Sequence, residues 1–123
     1  MINTKALYYS LLRDERITAL VGNDNIFDAY PNTVETFPCI IYLDENQNDI
    51  EFADNQPLAN DITVQIHIFT KALENYYTTF EIGSVVARVM AENFFACTQN
   101  GESPDPDSDV RHRVMTFRKV VLS

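Results

Sequence analysis

Residues 62–69, ITVQIHIF, alternate without a break, with Ile62, Val64, Ile66 and Ile68 facing one way and Thr63, Gln65, His67 and Phe69 the other. Side chains on a strand point to opposite faces in turn, so this stretch is a strand with one face in a core. Upstream, FPCIIYLDENQND (37–49) starts apolar on both faces over Cys39 to Leu43. That predicts a strand buried on two sides, or at least covered by a helix. Between the two strands lies a polar, acidic connection, 44–61, broken by Ile50 and Phe52. It either extends the strands as a hairpin or forms a flexible arm.

Outward from this pair, Asn3 or Thr4 can cap a helix through Leu7, Tyr8, Leu11 and Leu12. The run RDER (13–16) interrupts the pattern before Ile17, Leu20 and Val21, and Gly22 stops it. One kinked helix, or a long and a short helix with Asp14 capping the second, fits equally. A short strand around Ile26 and Phe27 follows, closed by Pro31 and the turn NTVET. Residues 71–96 give the longest helical pattern, with Tyr76, Phe80, Gly83, Ala87, Met90 and Phe94 at spacings of three and four. TQNGESPDPDSD (98–109) reads as a loop. Val110 to about Leu122 reads as a closing strand long enough to hold a bulge. The expected fold is α+β: a mostly antiparallel sheet of about four strands packed by a long helix and an N-terminal helix. At 123 residues, 46% hydrophobic, with eight Phe and six Tyr, residues 1–123 are expected to form a single domain with an acidic arm at 44–61.

Charge is unevenly placed. The net charge is −9, and residues 44–61 hold Asp44, Glu45, Asp49, Glu51, Asp54 and Asp61 with no base. Glu102, Asp105, Asp107 and Asp109 form a second acidic group, whereas 110–123 carry Arg111, Arg113, Arg118 and Lys119 with no acid. Such a balance argues against a nucleic-acid-binding surface, which needs clustered Lys and Arg. The start MINTKALYYS lacks signal-peptide features and no apolar run is long enough to span a bilayer, so a soluble protein is expected. Cys39 and Cys97 show no metal or redox spacing and are expected to be two buried free thiols.

Chemistry finds little to build on. His67 and His112 each lie in a strand without a nucleophile beside them in sequence, and no Gly-x-Ser-x-Gly turn exists. They are expected to be surface or interface groups. DPDSD (105–109) starts like a calcium loop, but Val110 and Thr116 stand where the turn glycine and bidentate Glu belong. Three glycines supply no phosphate cradle. Asp44, Glu45 and Asp49 sit among Asn46, Gln47 and Asn48, which favours a surface role over paired acid–base work. No catalytic residue, cofactor or metal is expected.

The segment ALVGNDNIFDAYPNTVETFPCIIYLDEN (19–46), the strand ITVQIHIFTKA running into a long helix, and the closing RHRVMTFRKVV together resemble the tail completion, or tail terminator, proteins of long-tailed phages and prophages. The likeness spans nearly the whole chain, with Phe69 standing where the commonest pattern has Trp. It implies a structural, non-enzymatic virion protein, assembled in the bacterial host cytoplasm, that caps the tail tube and joins it to the head connector or stopper, commonly as a hexameric ring. Another tail or head–tail adaptor is the alternative; so is a small-ligand module using Tyr76, Tyr77 and Phe80. In a ring one patch meets a different patch of the next copy. Asp44, Glu45, Asp49, Glu51 and Asp54 against Arg111, Arg113 and Arg118 are the expected halves of that contact. The acidic residues are otherwise expected to face the lumen, where they would let DNA pass without specific binding.

Overall fold

The computed structural model describes residues 3–29, 36–53, 56–103 and 108–122, with backbone alone over 46–53 and 56–58. The elements run α1 (Thr4–Leu12), α2 (Glu15–Val21), a 3-10 turn (Asn23–Asn25), β1 (Ile26–Asp28), β2 (Cys39–Ala53), β3 (Gln56–Lys71), α3 (Thr79–Glu92), β4 (Ala96–Glu102) and β5 (Val110–Leu122). The five strands form one sheet in the order β1-β2-β3-β5-β4. Only β1 runs parallel to its neighbour, so the α+β sheet is mixed.

The break at RDER resolves as two helices. Asn3 Oδ1 accepts from the Ala6 N–H at 3.1 Å to cap α1, and Asp14 Oδ1 accepts from the Arg16 N–H at 2.9 Å to cap α2. Gly22 then takes φ +85°, a left-handed value, while its N–H closes on Thr18 O at 2.8 Å. Arg16 also reaches both Glu92 carboxylate oxygens, at 2.9 and 2.6 Å, which ties the start of α2 to the end of α3.

The alternation of 62–69 survives intact. Ile62, Val64, Ile66 and Ile68 are fully buried and join Ile40, Tyr42, Met115 and Phe117 on the helix-covered face. Ile82, Val86, Val89 and Met90 of α3, Tyr8 and Leu12 of α1, and Ile17 and Val21 of α2 close over them. Register follows: Ile40 pairs with Ile68 and Tyr42 with Ile66, which places like with like across the ladder. Gly83 lets α3 settle onto β5, because a Cβ there would lie 3.0 Å from Arg113 Cδ and 3.1 Å from Met115 Sδ.

Five expectations need correcting. The helix begins at Thr79, not near residue 71: the Thr78 hydroxyl accepts from the Glu81 N–H at 3.1 Å, and that cap fixes the start. Tyr76 and Phe80, assigned to the apolar stripe, are 89% and 64% exposed. Part of the expected loop is a fifth strand, since β4 takes in 98–102 and pairs with β5. The register shifts lie at Asp44/Asn46 in β2 and Cys97/Gln99 in β4, whereas β3 and β5 pair without one. Cys39 is buried as expected and its thiol pKa is pushed up to about 11, but Cys97 is exposed.

α3 ends with an unusual residue in an ordinary motif. Phe95 N–H bonds Met90 O and Phe94 N–H bonds Ala91 O, both at 3.0 Å, which is the Schellman pairing. The left-handed position, usually Gly, is Phe94 at φ +68°, and its ring is 83% exposed. Phe95 turns back into the core beside Met90. Among the described residues no helix is long and apolar enough to cross a membrane.

Candidate assembly interface

The alternation of β5 sorts its bases by face. Met115 and Phe117 point into the core, so Arg111, Arg113 and Lys119 share their side, and His112 and Arg118 share the other. Arg118 is already engaged within the chain: Nε and Nη2 donate to the two Asp61 oxygens at 2.7 and 2.6 Å. Those hydrogen bonds and the Asp61 charge raise the guanidinium pKa, though the arginine is half exposed and the pair adds little stability.

Arg111 and Arg113 instead border a cleft. A cavity of about 330 Å³ opens between the 70–80 segment, the start of α3 and β5, with Thr70, Tyr77, Phe80 and Glu102 among its walls. Arg113 is held in place. Its Nη1 donates to Asn100 Oδ1 at 2.8 Å and its Nε to Thr79 Oγ1 at 3.3 Å, while the Thr79 hydroxyl donates to Glu102 Oε1 at 2.5 Å. The guanidinium lies 5.7 Å from the centre of the Phe80 ring, within cation–π range. Arg111 has no hydrogen-bond or ion-pair partner among the described residues.

The acidic residues of β2 lie away from the cleft along the sheet, and they do not behave alike. Asp44 accepts a hydrogen bond from the Thr4 hydroxyl, joining β2 to the first turn of α1. Glu45 is exposed at the register shift. Asp49 and Glu51 lie farther along β2, where Asp49 pairs with Asn60, and Asp54 lies outside the described residues. Asp105 and Asp107 of the calcium-like run also lie outside them.

The chain matches a family model described as tail completion protein gp17 over residues 5–122. The chain belongs to that tail completion family. It is therefore a phage tail structural protein, concerned with virion assembly. Among solved structures, a chain from the virion of a native gene transfer agent (GTA) particle superposes with a TM-score of 0.62. The match covers 95% of this chain and 92% of that one at 16% sequence identity, so it speaks to fold. A comparison with curated proteins found no match.

Within this tail completion fold the two histidines meet, a pairing their separate strands did not announce. His67 Nδ1 lies 2.7 Å from His112 Nε2, and His67 Nε2 lies 2.7 Å from Gln65 Oε1. Phe69 stacks on His112 with ring centres 4.2 Å apart. Burial, then the neighbouring His112, pushes the His67 pKa down to about 4, and burial lowers that of His112. Both rings are neutral at pH 7. They serve as a packed polar pair on the sheet face opposite the helices. Among the described residues no cluster of His, Cys, Asp or Glu could hold a metal ion. Asp61, Thr79, Asn100 and Glu102 also escaped the sequence reading as partners of the arginines, because only the β3–β5 and β4–β5 pairings bring them close.

Proposed function

We propose that this chain caps the finished tail tube and joins it to the head connector or stopper as a hexameric ring, without a catalytic step. Membership of the tail completion family over residues 5–122 is the observation that carries this reading. The separation of an acidic hairpin from an arginine-lined cleft supports the ring, since a closed ring needs two different, complementary patches on each copy. DNA passes through the ring unbound in this reading, in keeping with the net charge of −9. The ring forms in the bacterial host cytoplasm and stays in the virion at the head–tail joint.

Electron microscopy of particles made without this protein tests the cap. Tails of uneven length or tails without heads are expected, and addition of the purified protein should restore joining. Normal joined particles in its absence would rule the reading out.

A further inference from the structure

The cleft beside Arg111 calls for a ligand. A guanidinium with no partner among the described residues stands next to a second one fixed by Thr79 and Asn100, in a cleft that Tyr77 and Phe80 also line. Among the described residues Glu102 is the one carboxylate lining the cavity, and the Thr79 hydroxyl already bonds it. The described lining thus carries two guanidinium groups against one carboxylate, in a chain whose net charge is −9. Two guanidinium groups beside aromatic rings suit a carboxylate, which can accept paired, charge-assisted hydrogen bonds there.

The chain carries a matching group that it cannot use on itself. Asp49 and Glu51 lie on the far part of the β2–β3 hairpin, and Asp49 pairs with Asn60 while Arg111 pairs with Thr70. From residue 60 to residue 70 along β3 is about 33 Å at about 3.3 Å per residue, well beyond the reach of any side chain. A meeting of the two groups requires two molecules. We infer that the Arg111–Arg113 cleft receives the acidic hairpin of a second copy, with Asp49 and Glu51 as the carboxylates bound. This rests on the ring reading above and gives each copy one donor end and one acceptor end.

Charge exchange tests it. Arg111→Glu reverses the cleft without touching the hydrogen bonds of Arg113, and Asp49→Lys with Glu51→Lys reverses the hairpin. Each variant, checked for folding by circular dichroism and melting, is added to tails made without the protein, and bound rings are counted by electron microscopy. Each alone should lower ring formation about tenfold or more, the scale of close interfacial charge pairs. An equimolar mixture should restore it, because the two variants can alternate around an even-numbered ring. The triple variant carrying all three changes should also assemble. Normal rings from folded Arg111→Glu protein would overturn the inference. So would a mixture that fails to assemble, or intact rings that have lost only their attachment to heads. The ring reading itself fails only if the unaltered protein forms no ring on tails, an outcome read in the same experiment.

Discussion

Gly83 on α3 and Arg113 on β5 are packed so closely that a methyl group at residue 83 would lie 3.0 Å from Arg113 Cδ. The glycine thereby sets both the seating of the helix and the position of the cleft arginine. Gly83→Val adds a branched side chain against Arg113 and Met115, and overpacking of this kind costs about 1–3 kcal/mol. We expect a lower urea midpoint at an unchanged slope, together with weaker ring formation because Arg113 is pushed off Thr79 and Asn100.

Phe94 holds a left-handed conformation at the end of α3 with its ring in water. An L residue there costs about 1–2 kcal/mol relative to its preferred backbone, and glycine does not. Phe94→Gly should raise stability by about 1 kcal/mol in urea unfolding, less the small contribution of the Lys119 ammonium, 5.7 Å from the ring centre. A loss of tail binding despite that gain would identify the exposed ring as a contact.

The Thr4–Asp44 hydrogen bond makes a charge reversal at Asp44 a poor probe of the interface, because it also unties α1 from β2. Thr4→Val and Asp44→Asn should each lower stability by about 1 kcal/mol, and the double variant should cost less than the sum. Additive losses in the double-mutant cycle would show that the two side chains act separately.

His67 and His112 make stability depend on pH. Their folded pKa values lie below the ordinary imidazole value, His67 at about 4, so the unfolded chain binds more protons between about 6.5 and 4. Their contribution is present in full above about pH 6.5 and lost as pH falls towards 4. Gln65, Phe69 and each other are among the groups in contact with them. His67→Gln should flatten the fall in urea midpoint between pH 6.5 and 4.5, measured against the unaltered protein under identical salt. An unchanged slope would mean that His67 does not carry the acid sensitivity.

The sheet was legible wherever burial imposed a period. The strict alternation at 62–69 predicted the core face of β3 but not the burial of His67 on the other face, where a surface or interface group was expected, and Asp14 with Gly22 marked the ends of α2. β4 escaped because ACTQNGE is exposed along its whole length and has no apolar period; it is a strand because β5 offers it a ladder. The start of α3 was misplaced because Tyr76 and Phe80 fit a helical spacing by chance, while the cap at Thr78 is a short-range signal that the spacing overrode. The polarity of charge along the chain was plain. Which charges are already taken was not: Arg118 with Asp61 depends on long-range register, and Asp44 with Thr4 on how α1 docks against β2.

The β2–β3 hairpin has a mechanical consequence. Past the single register shift at Asp44/Asn46, the two strands remain paired from Asn46 with Thr63 out to Ala53 with Gln56. Antiparallel hydrogen bonds lie perpendicular to the strands, so a pull on the tip runs down two backbones side by side while the rungs hold them in register. The arm carries load as a doubled strand.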